Sequence, residues 1–306
     1  MLRVRADLKA IKKYVDEVLK GVTQENMKVL KRAVLDELLK IDKEYYEEAL
    51  NLAKELAEAV ERGFEKANYS VGRLDLALKT EGLVGIGFGA LKAVFEVGLN
   101  VDPILGLPYY PGSGIKGAVR AFLEGCAPSE AVEPLLGKSV AEGGQASKVI
   151  FADAYPVGCA GKCSIFYPLV TTPHYFEGGK VVDNELKAKP VPVVYAGISR
   201  NTVFRLIIAV RRDEGVIKDV QKLKDSLKDE GGCKIIKGIL EKVLSSGAED
   251  PNLPLKALVL ITAYVMRRGI AARSQKGFNV FEPLDKDLTS DVVYWFDVVG
   301  LRSSRG

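Results

Sequence analysis

The chain has 306 residues, of which 47% are hydrophobic, 27% charged and 8% aromatic. This composition can form a hydrophobic core, and it excludes an intrinsically disordered protein. The longest mainly apolar stretch, 257–266, is too short to span a bilayer, and the N-terminal residues contain no apolar signal core. We therefore expect a soluble, cytoplasmic protein with no membrane partner, built as one large domain or two of ordinary size.

The formal net charge of +4 is unevenly distributed. Residues 41–66 include eight acidic and four basic residues, whereas 187–212 include six basic residues and 266–280 include four, with no acidic residue in either basic segment. Uncompensated charge beside glycine and strand-forming residues is hard to explain as a solvated helix face. The distribution therefore favours an anionic partner.

Apolar residues recur at steps of three and four through the first 66 residues, which predicts helices with an acidic last helix. The pattern changes at 74–78 to the alternation of a half-buried strand. Further strand candidates follow: 93–99, 148–152, 164–170, 202–210 and 291–299.

Helices are predicted at 113–123, with Ser113 as the N-cap, and at 254–268, where two arginines and a glycine end the apolar run. One or two additional helices are expected within 215–247. This order of elements is typical of an α+β fold in which helices cover one face of a largely antiparallel sheet.

Four cysteines in a chain of this length do not predict a disulfide framework. Cys159, Cys163 and the only histidine, His174, have a spacing compatible with structural zinc, but the fourth ligand would have to be the distant Cys126 or Cys233. The composition resembles that of hyperthermophiles, in which a Cys159–Cys163 disulfide is a further alternative. Reduced, buried thiols and no bound metal are the favoured interpretation.

Two glycine clusters, 112–117 and 85–90, match the dinucleotide patterns GxGxxG and GxGxxA. Prolines before the first cluster preclude the buried strand of a Rossmann turn, and the second cluster follows polar residues and precedes only a short segment. A dinucleotide-dependent oxidoreductase is therefore disfavoured, and no cofactor is expected. The first cluster is also not a P-loop, because its lysine precedes the last glycine.

The turn at 111–114 leads directly into a helix, so it is expected to present N–H groups that favour a phosphate. Lys116 and Arg120 would lie along one side of this helix. The alternative is a capped helix whose basic residues are merely solvated.

The segment 269–279 is a second candidate, because it combines small residues with Arg273, Lys276 and the potentially base-stacking Phe278. A simple connection between a helix and a strand is the alternative. We expect the two turns to converge on one groove that binds a polyanion such as single-stranded RNA.

The run from Gly106 to Arg120, with Pro111-Gly112-Ser113-Gly114-Ile115-Lys116-Gly117 at its centre, resembles the signature of the CRISPR-associated RAMP superfamily. Segments 151–156, 171–175, 189–193 and 269–278 resemble, more narrowly, subunit six of the Cmr (type III-B) RNA-silencing complexes. There are two departures: Gly114 replaces the usual second serine, and 275–279 is a degenerate form of the family's last glycine-rich stretch.

The resemblance spans roughly 74–279 and implies a ferredoxin-like, RRM-related architecture. Together with the apolar pattern, it predicts such a domain at 71–306 with a helical insertion at about 213–250, preceded by an all-helical N-terminal region at 1–70. It also implies a non-catalytic subunit that contacts the guide RNA near its 3′ end, next to the repeated backbone subunit, the other head subunit and target RNA. The expected RNA-binding residues are Gly112, Ser113, Gly114, Lys116, Arg120, Arg200, Arg273, Lys276 and Gly277.

The competing prediction is a metal-independent endoribonuclease of the same superfamily. His174 would be its general acid or base, assisted by Tyr175 or a lysine. Asp75, Asp102 and Asp153 show no paired-carboxylate spacing, so we expect them in turns and at strand ends.

Overall fold

The computed structural model describes residues 24–39, 43–87, 90–138, 143–171, 176–177, 180–181, 192–245 and 250–284. The predicted strand at 291–299 and the candidate catalytic residues His174 and Tyr175 lie outside these segments. No helix in the described segments is both long and apolar enough to cross a membrane.

The chain folds into helices and antiparallel strands, which confirms the predicted α+β class. The helices are α1 (Gln24–Leu39), α2 (Lys43–Lys66), α3 (Gly112–Cys126), α4 (Ser129–Leu136), α5 (Glu214–Ser226), α6 (Gly231–Ser245) and α7 (Leu253–Arg267). The strands are β1 (Tyr69–Leu78), β2 (Val149–Phe151), β3 (Tyr155–Cys159), β4 (Phe166–Thr171), β5 (Phe176–Glu177), β6 (Lys180–Val181), β7 (Val193–Ile198), β8 (Thr202–Arg211) and β9 (Phe281–Pro283).

The main sheet has the order β2, β8, β1, β9, and β3 also pairs with β8. Every pairing in this sheet is antiparallel, and β1 and β8 form its centre, from Tyr69 opposite Arg211 to Ala77 opposite Val203. Helix α3 lies between β1 and β2 along the chain, and α7 lies between β8 and β9. Strands β4 and β7 form a separate antiparallel pair.

The two faces of the main sheet are both covered. On β1 the even-numbered residues face α7, since a Cβ added to Gly72 would lie 3.0 Å from Val259. The odd-numbered residues face α2, where Arg73 forms an ion pair with Glu61. The prediction that helices cover only one face is therefore wrong, because the odd-numbered face also has apolar residues, such as Ile207, that α2 buries.

Helix α7 is the central helix of the other layer, and every residue from Leu253 to Met266 except Lys256 is buried. Its apolar composition on all sides follows from this position, because α3, α5, α6 and the sheet all pack around it. The one or two helices expected within 215–247 are two, α5 and α6.

Several local predictions were wrong. Segment 93–99 is not a strand: a short 3₁₀ helix, Ala90–Ala93, leads into turns, from which Phe95 and Leu99 still reach the core. Ser113 is not the N-cap, because α3 already begins at Gly112, with Pro111 in the capping position. Strands β3, β7 and β9 had no clear pattern in the sequence.

All four cysteines form disulfides, so the prediction of reduced thiols was wrong. Cys126 at the end of α3 pairs with Cys233 at the start of α6, and Cys159 pairs with Cys163 in the turn after β3. Structural zinc at these cysteines is thereby excluded, because their sulfur atoms are in disulfides and are not thiolate ligands. The Cys159–Cys163 disulfide agrees with the alternative drawn from the hyperthermophile-like composition. Nothing in the sequence indicated the disulfide between Cys126 and Cys233.

Candidate nucleic-acid interface

The first turn of α3 is tightly packed against the connection between β2 and β3. The backbone N–H of Gly112 donates a 2.7 Å hydrogen bond to Oδ1 of Asp153. A Cβ at position 112 would lie 2.0 Å from the carbonyl oxygen of Phe151, so only glycine fits. We expected the turn at 111–114 to present free N–H groups to a phosphate; this does not hold for the N–H of Gly112, which the carboxylate of Asp153 already accepts.

The N-terminal part of the outer face of α3 is exposed and carries only small residues, which makes it smooth, whereas Glu124 lies on the same face near the C-terminal end. Ser113, Gly114 and Gly117 are all exposed, and a Cβ added to either glycine would meet no atom within 4 Å. A polymer backbone can therefore approach this part of the helix closely.

Lys116 and Arg120 are half-buried along one edge of this face, as the i, i+4 spacing predicted. Burial and the neighbouring charge of Arg120 both lower the pKa of Lys116. Lys116 forms no ion pair within the described residues, whereas Nε of Arg120 donates to Oε1 of Glu124 at 2.8 Å. Lys116 is thus a partly desolvated cation with no anion among those residues to compensate it.

The loop 269–279 has an unusual backbone. Ala271, Arg273 and Asn279 all have positive φ, at 58°, 59° and 57°, in the left-handed region that non-glycine residues rarely adopt. Gly269 and Gly277 share that region. Such backbone persists only where the surroundings fix it, and it concentrates at functional sites.

Arg273 is fixed by neutral groups. Its Nη1 donates to Oγ1 of Thr171 at 2.6 Å and to the hydroxyl of Tyr195 at 3.0 Å, and its guanidinium lies 5.7 Å from the Tyr195 ring centroid. Within the described residues no carboxylate pairs with it. Arg273 therefore attaches the loop to β4 and β7 and keeps an uncompensated charge.

The tip of the loop is exposed at Lys276 and Gly277, and Lys276 forms no ion pair with the described residues. Phe278 is half-buried against the core, so the expected role in base stacking is not supported by its position.

Asn279 connects this loop to the segment before α3. Its Oδ1 accepts hydrogen bonds from the hydroxyl of Tyr110 at 2.7 Å and the N–H of Leu83 at 2.6 Å. Its Nδ2 donates to the carbonyl oxygens of Leu83 at 3.0 Å and Ala272 at 2.7 Å. The two turns are thus joined through one buried amide, which sequence reasoning missed. The signal was present, since asparagine tolerates positive φ and has both donor and acceptor atoms.

Arg200 lies beside this junction. Its Nε and Nη2 donate to the two carboxylate oxygens of Glu81 at 2.7 and 3.1 Å, and the backbone oxygen of Glu81 accepts from the N–H of Asn279. Desolvation raises the pKa of Glu81, but the hydrogen bond from Arg200, a backbone hydrogen bond and the charge of Arg200 together outweigh it, so the net shift is downward. Arg200 is 61% exposed and neutralised by a carboxylate in this structure.

The three aspartates have structural roles. Asp102 accepts from the N–H groups of Ile104 and Leu105 in a turn, and Asp153 holds Gly112, so the predicted turn roles are confirmed for both. Asp75 contradicts its predicted strand-end role: it is buried in mid-strand and paired with Arg205 at 2.8 and 2.7 Å.

The Asp75–Arg205 pair borders the space between α2 and the sheet, where Arg205 and Ile207 line a cavity of about 250 Å³. No cluster of potential metal ligands occurs among the residues that the structure describes.

Comparison with known proteins identifies the class. Residues 77–246, more than half of the chain, match the RAMP superfamily, and the chain belongs to that superfamily. A curated relative, the CRISPR system CMR subunit Cmr6 of Saccharolobus solfataricus, is 32% identical over 146 residues. The resemblance found in the sequence, to RAMP proteins and to subunit six of Cmr complexes, is confirmed.

The extent of these matches is limited. The aligned region covers 48% of this chain and 48% of the curated relative, so the chain spans about half the length of that relative. A chain in the cryo-EM structure of the type III-B Cmr-beta bound to cognate target RNA matches with a TM-score of 0.55. That match has 24% identity and covers 76% of this chain and 64% of the other, and it concerns the fold alone.

Proposed function

We propose that this chain is a non-catalytic, RNA-binding subunit of a type III-B CRISPR effector complex. Membership of the RAMP superfamily and the 32% identity to a CMR subunit support the assignment to such a complex. Within it, the chain contacts the guide RNA near its 3′ end and lies next to the backbone subunit, the other head subunit and target RNA.

The order of elements supports a ferredoxin-like, RRM-related core. Strand β1, helix α3, strands β2 and β8, helix α7 and strand β9 occur along the chain in the order β-α-β-β-α-β. Helix α4 and strands β3 to β7 lie between these elements, and α5 and α6 form an insertion before α7. The expected boundary between residues 70 and 71 falls inside β1, so we begin this domain at β1 and assign α1 and α2 to the helical N-terminal region.

The observation that best supports RNA binding is the set of cations that have no carboxylate partner among the described residues and lie next to exposed glycines. Lys116 lies beside Gly114 and Gly117, and Lys276 lies beside Gly277. Such cations are suited to neutralise phosphates, and glycines let a sugar–phosphate backbone approach. Arg273 contributes its uncompensated charge from a fixed position.

The remaining expected contacts require an exchange of partners. Arg120 and Arg200 are bound to Glu124 and Glu81 in partly exposed ion pairs, which are individually weak. A phosphate can replace either carboxylate at small cost. Ser113 and Gly114 border the same surface. Gly112 contributes indirectly, because it lets the turn pack closely against Phe151.

The test replaces Lys116 and Lys276 together by Gln in the full chain and measures binding to a labelled single-stranded RNA as a function of salt. We expect weaker binding at low salt and a salt-dependence slope that falls by about 0.7 for each phosphate no longer neutralised. The matched control replaces Lys54 and Lys66 of α2, which removes the same charge from the opposite face of the sheet. Equal binding by both double variants would contradict the proposal.

The non-catalytic part is tested separately. Purified protein is incubated with labelled repeat RNA in the presence of a chelator, and the products are compared with those of the His174→Ala variant. We expect no discrete product from either protein. A product that appears only with the unsubstituted chain would establish the endoribonuclease alternative.

A further inference from the structure

We propose that Arg268, at the end of α7, is an additional phosphate-binding residue that extends the RNA surface from the loop 269–279 onto the outer face of α3. This inference rests on the proposed RNA-binding function and names a residue that neither the signature motif nor the glycine-rich loop includes.

Arg268 is exposed, yet its guanidinium is held in place. It lies 5.8 Å from the ring centroid of Phe122 on α3 and 5.8 Å from that of Tyr264 on α7. Its Nη1 also donates to the hydroxyl of Tyr264 at 3.2 Å. The two rings pack edge to face with their centroids 5.7 Å apart, so they form a rigid support for the guanidinium.

The two aromatic side chains that hold Arg268 are neutral, so they leave its charge uncompensated. Among the described residues no carboxylate forms an ion pair with it, in contrast to Arg120 and Arg200. Arg273 is held in the same way, by a tyrosine ring and hydroxyl groups. Arg268, immediately before the loop, and Arg273, in the middle of it, are therefore pre-positioned without being neutralised, which reduces the ordering cost of binding an anion.

The position of Arg268 relative to α3 completes the surface. At about 100° per residue, Lys116 and Arg120 lie on one flank of α3 and Phe122 lies on the other, with the exposed Gly114 and Gly117 between them. Since Arg268 contacts Phe122, it lies on the flank opposite to Lys116. The smooth face of α3 thus has a cation on each side, an arrangement suited to a single phosphodiester strand that crosses it.

The experiment compares Arg268→Ala, Arg268→Lys and Arg62→Ala in the full chain, with a labelled single-stranded RNA of mixed sequence as the probe. Arg62 is the control for removal of an exposed arginine from the other side of the sheet: it is 62% exposed on α2, where it pairs with Glu58 at 3.7 Å. We expect Arg268→Ala to weaken binding about 5- to 20-fold at low salt and to lower the salt-dependence slope by about 0.7. Arg268→Lys retains most of the slope, and Arg62→Ala changes neither quantity.

The outcomes separate this inference from the proposed function. If the Lys116 and Lys276 double variant weakens binding but Arg268→Ala leaves the slope unchanged, Arg268 has only a structural role and the inference is overturned while RNA binding stands. A fall in the melting temperature of Arg268→Ala without a change in slope likewise overturns it. If the unsubstituted chain does not bind the probe, both proposals fail.

Discussion

The hydroxyl of Tyr110 donates a 2.7 Å hydrogen bond to Oδ1 of Asn279, although the two residues are 169 positions apart in the chain. Both side chains are buried, and the Tyr110 ring packs edge to face on Phe204 and Phe281. Burial raises the pKa of Tyr110 well above its ordinary value, so the phenol remains a donor at all physiological pH values. The geometry of the two candidate RNA-binding turns therefore depends on one amide.

Replacing Asn279 by Ala should destabilise the protein strongly. The change leaves buried donors and acceptors of Leu83 and Tyr110 without partners and places an unsuitable residue at positive φ. We expect a loss of about 3 kcal/mol or more in the free energy of unfolding, measured with denaturant. Asn201→Ala is the matched control, because Asn201 also has positive φ but its side chain makes a long bond, of 3.4 Å. Equal losses for the two variants would contradict the special role of Asn279.

Alanine substitution at two glycines of the signature motif should change the stability of the protein in opposite directions. Gly112→Ala forces a Cβ against the carbonyl of Phe151, so we expect a loss of several kcal/mol, about 3 or more, or failure to fold. Gly117→Ala has open space and replaces a helical glycine, so we expect a gain of about 0.5–1 kcal/mol. Thermal and denaturant unfolding measure both changes. If RNA lies on this face, Gly117→Ala should also weaken RNA binding, and a variant that loses stability would contradict the open environment seen here.

Lys116 should reduce stability at neutral pH. Its pKa in the folded protein is lower than the ordinary value of 10.5, so the folded state binds this proton less tightly than the unfolded state does. The resulting penalty is present at neutral pH and disappears as the pH rises through the lowered pKa towards 10.5. Lys116→Met should therefore be more stable than the unsubstituted chain at pH 7.

This gain should shrink as the pH approaches the ordinary lysine value, and it should be accompanied by weaker RNA binding. Denaturant unfolding at several pH values tests the prediction, with Lys66→Met as the control. A stability difference that grows with pH would have the wrong sign and would refute it.

The two disulfides should differ in their contribution to stability. Cys126 and Cys233 close a loop with a sequence separation of 107, whereas Cys159 and Cys163 are 4 apart. By loop-closure entropy, loss of the first bond costs about 4.8 kcal/mol and loss of the second about 2 kcal/mol. Unfolding of Cys126→Ser/Cys233→Ser and Cys159→Ser/Cys163→Ser variants measures the difference, and a larger effect from the short loop would contradict the assignment.

The buried pair of Asp75 and Arg205 should show strong coupling. Arg205→Met leaves a carboxylate that is 4% exposed without its bidentate partner, and we expect a loss of about 3–5 kcal/mol. Adding Asp75→Leu to that variant should restore part of the loss, because neither charge of the pair then remains. A double-mutant cycle by denaturant unfolding measures the coupling, and strictly additive losses would exclude it.

The elements with a strong local period could be predicted from the sequence. Strand β1, helix α3 and the inserted pair α5 and α6 repeat apolar residues at the spacing of their own geometry, whereas β8 and α7 are recognisable as continuous apolar runs. The signature motif likewise stands in one continuous run, so the RAMP resemblance and the smooth face of α3 were accessible without a structure.

The features that could not be predicted depend on contacts between distant residues. Asp153 occupies the N–H of Gly112, and Glu81 neutralises Arg200, although neither carboxylate is near its partner in the chain. The short strand β9 gains its order from pairing with β1 rather than from its own three residues. Charge counts identified the cations correctly, but only the structure separates those with carboxylate partners from those without.

The covering of the odd-numbered sheet face by α2 has a consequence for recognition. Unpaired bases have no access to that face, so they cannot be read there by stacking on the strands. A strand bound on the helical side would instead be recognised through its phosphates, which are the same in every nucleotide. Under the proposed function, one copy of this protein would therefore bind RNAs of unrelated sequence with similar affinity.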